Sequence, residues 1–509
     1  MLGALPDIAA RRASLSPGAV ALEEVASGRT LTYAELDRRT GQAASVLLAR
    51  GVREGDRVAI LCRNRLAFFE ILFACARIGA ILVPLNWRMP PAELAALLAD
   101  CTPALLVHGR EDEAAASLLG LPALDLDGDY GRSLATAGPA PARPVWAGDG
   151  IWYLLYTSGT TGRPKGVIYT FRMALANYVN IGAAIDIRST DATANFLPLF
   201  HTAGINLYSL PTLIQGGRVL VTEGFDPDVL VRLLAEQRLD TFFAVPTVYQ
   251  ALFDHPGFAA APLDRVRHWG CGGAPLADAV VERSRALGIR ICTGMGMTET
   301  GPTAFLGAPE DAWERLGSVG KPQLLVSARI VDADGRELPP GEVGDLQFAG
   351  PGVTPGYWND PQATAAAFTP DGWLRTGDLA RRDGDGFWYI AGRRKEMFIS
   401  GGENVYPAEV EKVLAAHPAV SEAAVVAAPH PKWGEVGRAF LRAASGRALP
   451  VEAELEAFCR TRLAPYKVPR SFEFVPDFPR TAAGKVQKHL LAAVPAAGEP
   501  PPERLRVVG

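Results

Sequence analysis

The sequence predicts an α/β fold: a large N-terminal domain of layered α/β subdomains plus a small β-rich unit, followed by an α+β C-terminal domain. Three observations carry this. Short apolar runs alternate with helical patterns over most of the chain, which is how largely parallel sheets covered by helices read in sequence. From about residue 326 the texture turns to short strands separated by Gly, Asp and Pro turns. After Gly392-Arg393-Arg394-Lys395 a fresh α+β pattern begins and runs to about residue 491.

In chain order, Thr32-Tyr33-Ala34-Glu35 is a capping box, so a helix opens there and runs to about residue 50. Residues 57–61 read as a strand, 68–79 as a helix with an apolar face, and 104–108 as the next strand. Residues 136–144, rich in Pro and Ala, form a linker or a surface loop. Further buried strands are expected at 151–156, 219–222, 241–245, 268–270 and 289–292. The β-rich part supplies short strands at 328–331, 344–348 and 386–390. Residues 492–502 are rich in Pro, Ala and Glu and are expected to be poorly ordered. No internal repeat is found.

At 509 residues the chain allows about three compact units of roughly 150 residues, enough to bury a core without disulfide or metal staples. Lys+Arg is 51 against Asp+Glu 55, a net charge of −4. That near-balance argues against binding nucleic acid or an anionic membrane by bulk charge. The six cysteines (Cys62, Cys75, Cys101, Cys271, Cys292 and Cys459) form no CxxC pair and no His-rich cluster accompanies them. Neither a zinc site nor a disulfide framework is expected, and a reducing, cytoplasmic compartment is. The N-terminal residues lack a basic segment followed by an apolar run, so no signal peptide is expected. The longest apolar stretch, 71–87, is broken by Arg77 and is too short to span a bilayer.

The strongest chemical signal is Tyr156-Thr157-Ser158-Gly159-Thr160-Thr161-Gly162-Arg163-Pro164-Lys165-Gly166. A buried strand feeds a run of hydroxyls and glycines that ends in one lysine. Gly159 and Gly162 let backbone N–H groups approach an anion. The hydroxyls of Thr157, Ser158, Thr160 and Thr161 can donate to phosphate oxygens, and Lys165 adds a point charge. A polar Gly-rich turn is the plainer alternative. A Walker A loop is excluded, because Lys165 is flanked by Pro164 and Gly166 instead of opening a helix with Ser or Thr.

With this segment the chain resembles the adenylate-forming enzymes, a superfamily of AMP-dependent ligases that includes acyl-CoA synthetases. The resemblance continues in order through Gly272-Gly273-Ala274-Pro275-Leu276, Gly296-Met297-Thr298-Glu299-Thr300 and Gly372-Trp373-Leu374-Arg375-Thr376-Gly377-Asp378. It then takes in Gly392-Arg393-Arg394-Lys395-Glu396, Ser400-Gly401-Gly402-Glu403-Asn404 and Pro479-Arg480-Thr481-Ala482-Ala483-Gly484-Lys485.

Each segment also has a physical reading. The backbone of Gly272-Gly273-Ala274-Pro275, nearly free of side-chain bulk, can lie against a flat base, and the resemblance implies adenine contact; a strand-end turn serves as well on the segment alone. Mg²⁺ prefers carboxylate and phosphate oxygens, and the resemblance makes Glu299 the metal-facing carboxylate and Thr298 the α-phosphate contact. Met295 stands where the family commonly has an aromatic ring on adenine; a thioether can also pack on a base, and Gly296 and Met297 continue that wall. Asp378 is implied to accept the ribose hydroxyls, with Ile390 beside it and Arg393 on ribose or phosphate, although a turn-capping Asp is common. Lys485 is implied to be the adenylation lysine.

Lys395 falls at the family's hinge, which makes the C-terminal domain mobile. The resemblance thus implies an AMP-binding domain over 1–392, a hinge at 393–395, a C-terminal lid over 396–491 and a flexible tail over 492–509. Ser400, Gly401, Gly402 and Glu403 are implied to line a pantetheine tunnel; a tight strand-to-helix turn accounts for them equally well. Lys432 and Trp433 match a CoA-ligase stretch, and His201 matches the residue at the mouth of the acyl pocket, though a lone histidine is often structural. No G-x-S-x-G elbow or Ser-His-Asp order is found.

The implied activity is an acyl-CoA synthetase: Mg-ATP activates a monocarboxylic fatty or aryl acid to an acyl-adenylate, and the CoA thiol then takes the acyl group. The expected acyl lining, 201–207, 245–248, 269–272 and 294–297, is apolar and lacks a Lys or Arg for a second carboxylate. Two other readings stay open, a carrier-protein thiol as acceptor and a non-catalytic nucleotide-binding protein. A homodimer is the assembly entertained.

Overall fold

The computed structural model describes residues 3–157, 164–444, 446–480 and 486–493. The chain divides into two compact units. The first holds Met1–Leu276, Val280–Arg329 and Gln347–Arg375; the second holds Ala277–Ala279, Ile330–Leu346 and Thr376–Gly509.

Two large sheets, with a two-stranded pair of Ala4–Leu5 and Trp146–Ala147, build the first unit among the described residues. One has six strands, ordered Lys165–Thr170, Ile151–Thr157, Ile81–Pro84, Arg57–Leu61, Leu105–His108 and Ala123–Asp125. All run parallel except Lys165–Thr170, which returns antiparallel on Ile151–Thr157. The second has nine strands. Its core is a parallel run ordered Ile291–Met295, His268–Cys271, Thr241–Ala244, Ala192–Asn195, Arg218–Val221 and Val20–Glu24, with short antiparallel edges.

Local sequence explains the elements. Thr32 accepts from the backbone N–H of Glu35 while Glu35 accepts from that of Thr32, so the capping box opens helix Tyr33–Ala49. Helix Leu66–Ile78 is apolar nearly all round, which suits burial between layers. Its one carboxylate, Glu70, is fully buried and is satisfied by Arg39 (2.6 Å) and the Tyr130 hydroxyl (2.5 Å). Gly79 ends this helix in the left-handed conformation, φ 74°.

Several boundaries move from their expected places for local reasons. The strand expected at 289–292 is Ile291–Met295, because Ile289 N–H still closes onto Ser284 O at 2.8 Å as the chain leaves the preceding helix. The strand expected at 386–390 is Trp388–Arg393, because the Asp383 carboxylate accepts from Asp385 and Phe387 N–H and holds residues 383–387 in a turn. Residues 137–145 form a surface loop tied back by Ala140 N–H to Gly41 O at 2.9 Å.

The second unit contains most of a four-stranded sheet, ordered Ser327–Val331, Gly344–Ala349, Leu374–Arg382 and Trp388–Arg393. A five-stranded sheet follows, centred on the long pair Val420–His430 and Gly434–Ala443. Helices Pro407–Ala415 and Glu452–Arg460 bury Val410, Leu414, Leu455 and Cys459 with Val425, Ala439 and Leu441 of that sheet. Helix Lys488–Ala492 brings Leu491 to the cluster of Ala424, Val426 and Phe440.

Among the described residues, no helix is long and apolar enough to cross a membrane. All six cysteines are free and buried.

Candidate active site

Strands Ile151–Thr157 and Lys165–Thr170 are the two legs of a hairpin, with Thr157 and Lys165 in register where the strands flank residues 158–164. Thr157 Oγ donates to Lys165 O at 3.5 Å. Ser158, Gly159, Thr160, Thr161 and Gly162 lie outside the described residues. Lys165 Nζ stands 5.0 Å from the centre of the Tyr357 ring, a cation–π contact.

Thr298 and Glu299 lie in a tight turn, Thr298–Thr300, directly after strand Ile291–Met295, and both are buried. The Tyr357 hydroxyl donates to Glu299 Oε1 at 3.0 Å. Burial, followed by the Glu299 charge, pushes the Tyr357 pKa up, so the phenol stays protonated and remains a donor.

Residues 354–358 stitch these two parts together. Thr354 N–H donates to Glu299 O (2.8 Å), Trp358 N–H to Gly166 O (2.7 Å) and Ile168 N–H to Gly356 O (3.1 Å). Tyr357 therefore touches both the lysine at the base of the hairpin and the buried carboxylate. The sequence reading missed this residue. The signal was a Gly-Tyr-Trp-Asn run after Pro355, which lacks a charged group and reads as a turn.

Glu299 fits a magnesium ion in its donor chemistry, being a buried carboxylate with one oxygen hydrogen-bonded by a neutral phenol. Among the described residues no cluster of three or more His, Cys, Asp or Glu could cage a metal. A single carboxylate is what Mg²⁺ takes when it draws its other ligands from phosphates and water.

Gly272 is buried at the end of strand His268–Cys271, while Gly273, Ala274 and Pro275 expose their backbone. Met295 and Met297 are half-buried. A Cβ at Gly296 would sit 1.4 Å from Pro302 O, so only glycine fits between the two methionines.

His201 is half-buried and held by its own backbone segment: its N–H donates to Pro198 O (3.1 Å) and its Nδ1 accepts from Ala203 N–H (3.3 Å). The helical turn Ala203–Leu207 follows. On strand His268–Cys271, Trp269 and Cys271 pack into the core with Val248, so of the expected 269–272 lining only Gly270 and Gly272 lie on the other face. Leu207, Phe243 and Leu306 complete that face, and none of these is Lys or Arg.

In the second unit, Asp378 and Arg393 are brought together by the pairing of Leu374–Arg382 with Trp388–Arg393. Arg393 Nε lies 2.9 Å from Asp378 Oδ1, and the carboxylate is buried. Ile390 is half-buried on the same strand as Arg393. Lys395 is exposed in the turn Arg394–Glu396.

The Gly401-Gly402 pair departs from its expected geometry. It is the two-residue tip of a hairpin between Phe398–Ser400 and Glu403–Val405, where Ser400 faces Glu403, instead of a strand-to-helix turn. Both glycines are left-handed (φ 62° and 92°), as such tight hairpin turns require. Gly401 N–H donates to Trp433 O at 2.9 Å, and a Cβ there would lie 2.8 Å from the indole. Trp433 is 37% exposed and Lys432 Nζ lies 4.7 Å from its ring centre.

Lys485 lies outside the described residues. The stems on either side of it are anchored: Arg480 pairs with Glu422 (2.5 Å), and Lys488 pairs with Glu396 (2.8 Å) and Glu411 (2.7 Å).

Comparison with known proteins adds to this geometry. The family described as AMP-binding enzyme matches residues 9–358, and the one described as AMP-binding enzyme C-terminal domain matches residues 409–485. A feruloyl-CoA synthase from Amycolatopsis sp is 42% identical over 94% of this chain and 96% of its own length. The o-succinylbenzoate CoA synthetase of Bacillus subtilis, solved with its acyl-adenylate OSB-AMP, superposes with a TM-score of 0.88 at 33% identity, over 97% of this chain and 99% of that one. The same protein solved with ATP and magnesium gives a TM-score of 0.88 at 32% identity, over 96% and 99%.

Proposed function

The chain belongs to the AMP-binding enzyme family, and from that premise we infer that it is an AMP-forming acid–thiol ligase, an acyl-CoA synthetase that uses ATP, Mg²⁺ and CoA. A free carboxylate is a poor acyl donor because its leaving group would be oxide. In the first half-reaction a carboxylate oxygen attacks the α-phosphorus of ATP. The new O–P bond replaces the bond to the β-phosphate, and pyrophosphate leaves. In the second, the CoA sulfur attacks the acyl carbon of the mixed anhydride, AMP leaves with the bonding pair, and the thiol proton passes to solvent.

The residue roles follow from chemistry and position. Thr157, Ser158, Thr160, Thr161 and Lys165, with the Gly159 and Gly162 backbone, hold the departing phosphates. Glu299 would hold Mg²⁺, whose charge offsets that of the phosphates. Thr298 donates to the α-phosphate. Gly272 to Pro275 and Met295 to Met297 face the base, and Asp378, Ile390 and Arg393 the ribose. His201 stands at the mouth of the acyl pocket. Lys485 places a cation where charge grows during adenylation.

The C-terminal lid, 396–491, turns about the 393–395 hinge so that the hairpin of Ser400, Gly401, Gly402 and Glu403 replaces Lys485. Lys432 and Trp433 then meet CoA.

The substrate class is a monocarboxylic aryl or fatty acid. The apolar face of Leu207, Phe243 and Leu306 supports this, as does a relative named for a single-ring monocarboxylic acid, the feruloyl-CoA synthase. Six free cysteines favour a reducing compartment, the cytoplasm. A homodimer is read out by light scattering.

The observation that carries the reading is the buried Glu299, tied through Tyr357 to Lys165 at the base of the hydroxyl-rich hairpin. The test is exchange of labelled pyrophosphate into ATP with a panel of acids, then thioester formation on adding CoA. Exchange with at least one acid, followed by CoA-dependent AMP release, is expected. No exchange with any acid overturns the reading.

A further inference from the structure

This inference rests on the reading that the apolar face beside His201 receives the acyl group, and it concerns how deep that pocket runs. Strands Thr241–Ala244, His268–Cys271 and Ile291–Met295 lie side by side and parallel, with Phe243 beside Gly270 and Gly270 beside Cys292. Ligands of open α/β sheets sit at the carboxyl ends of such strands. Burial grades along this face. At its outer rim, Leu207, Phe243 and Leu306 are half-buried. One step deeper, Tyr208, Gly270 and His268 are closed off, with Tyr208 only 5% exposed.

Tyr208 is held in place from three sides. Its hydroxyl lies 2.8 Å from His268 Nδ1. Its ring stands edge-on to Phe243, with 5.5 Å between centres. Its hydroxyl also lies 2.4 Å from the point a Cβ at position 270 would take, so it rests on bare strand backbone that only glycine provides. Swinging the ring aside would strip a hydrogen bond from His268, whose Nε2 already has no hydrogen-bond partner among the described residues. Behind the ring, Ile181, Ile185 and Ile187 fill the space.

We propose that Tyr208, braced by His268 across Gly270, is the floor of the acyl pocket and restricts this enzyme to short or single-ring monocarboxylic acids. A short or single-ring acyl group then ends above the phenol, beside Phe243 where it packs on the glycine strand, and a long alkyl chain meets the phenol.

Pyrophosphate exchange is measured with butyrate, octanoate, dodecanoate, palmitate, benzoate and cinnamate. The wild-type protein should use the single-ring and shorter acids and fall off at dodecanoate and palmitate. Tyr208→Ala should raise kcat/KM for dodecanoate relative to cinnamate by about tenfold or more. Gly270→Ala pushes a methyl group against the phenol and should cost cinnamate more than butyrate. If Tyr208→Ala does not fold, Gly270→Ala decides. So does the binding of non-hydrolysable acyl-sulfamoyl adenosines to the wild type, where affinity should drop with chain length. A wild type that prefers palmitate overturns the proposal. So does a folded Tyr208→Ala with an unchanged dodecanoate-to-cinnamate ratio. Exchange with no acid at all removes the acyl-pocket reading itself.

Discussion

Tyr357 shows how much one neutral side chain can organise. Its phenol donates to Glu299 and its ring lies under Lys165, so one residue spaces the carboxylate from the cation. Tyr357→Phe keeps the ring and removes the donor, which leaves a buried carboxylate oxygen short of one hydrogen bond. The Mg²⁺ concentration for half-maximal pyrophosphate exchange should rise several-fold, and further in Glu299→Ala. Mn²⁺ binding followed by spin resonance with a non-hydrolysable ATP analogue should weaken in the same order. An unchanged metal titration in both variants removes Glu299 from the metal site.

His268 makes a different kind of prediction at the same scale. Burial, with Arg267 adding repulsion, lowers its pKa from 6.5 to about 4. The folded protein holds this ring neutral while the unfolded chain protonates it near pH 6.5. The stability it contributes is therefore present above pH 6.5 and is lost as pH falls through about 4, by on the order of a few kcal/mol. Melting temperature should drop over that window in the wild type and drop less in His268→Gln. Parallel curves would contradict the assignment.

At the scale of elements, the two hairpins assigned to the proposed reaction are built on opposite principles. The hairpin of Ile151–Thr157 and Lys165–Thr170 has buried, strongly paired legs that fix the ends of the hydroxyl run. The Phe398–Ser400 and Glu403–Val405 hairpin places two left-handed glycines at its tip, against an indole. Gly401→Ala combines a disfavoured φ with a 2.8 Å clash on Trp433. It should slow thioester formation from supplied acyl-adenylate at least tenfold and spare pyrophosphate exchange. Equal loss of both half-reactions would assign the tip a purely structural role.

On the whole-molecule scale, each of the two units folds around its own core. In the proposed reaction a hinge at 393–395 would let one set of reacting groups meet two different partners in turn. Lys485→Ala should abolish pyrophosphate exchange while leaving thioester formation from supplied acyl-adenylate largely intact. Loss of both steps to the same degree would sink the division of labour between the lysine loop and the glycine hairpin.

The sequence alone determined the order of elements, the capping box at Thr32, and the glycine- and hydroxyl-rich segments with their Lys and Glu. These are local properties: a helix start or a run of glycines and hydroxyls is specified within a few neighbouring residues. Only the tertiary structure decided that Tyr357 bridges Lys165 and Glu299, that Asp378 pairs with Arg393, and that Tyr208 closes against Gly270. The paired residues lie from 15 to 192 positions apart along the chain. Their contacts arise from strand order and register, which a single sequence leaves unstated because many pairings satisfy the same alternation of apolar and polar residues.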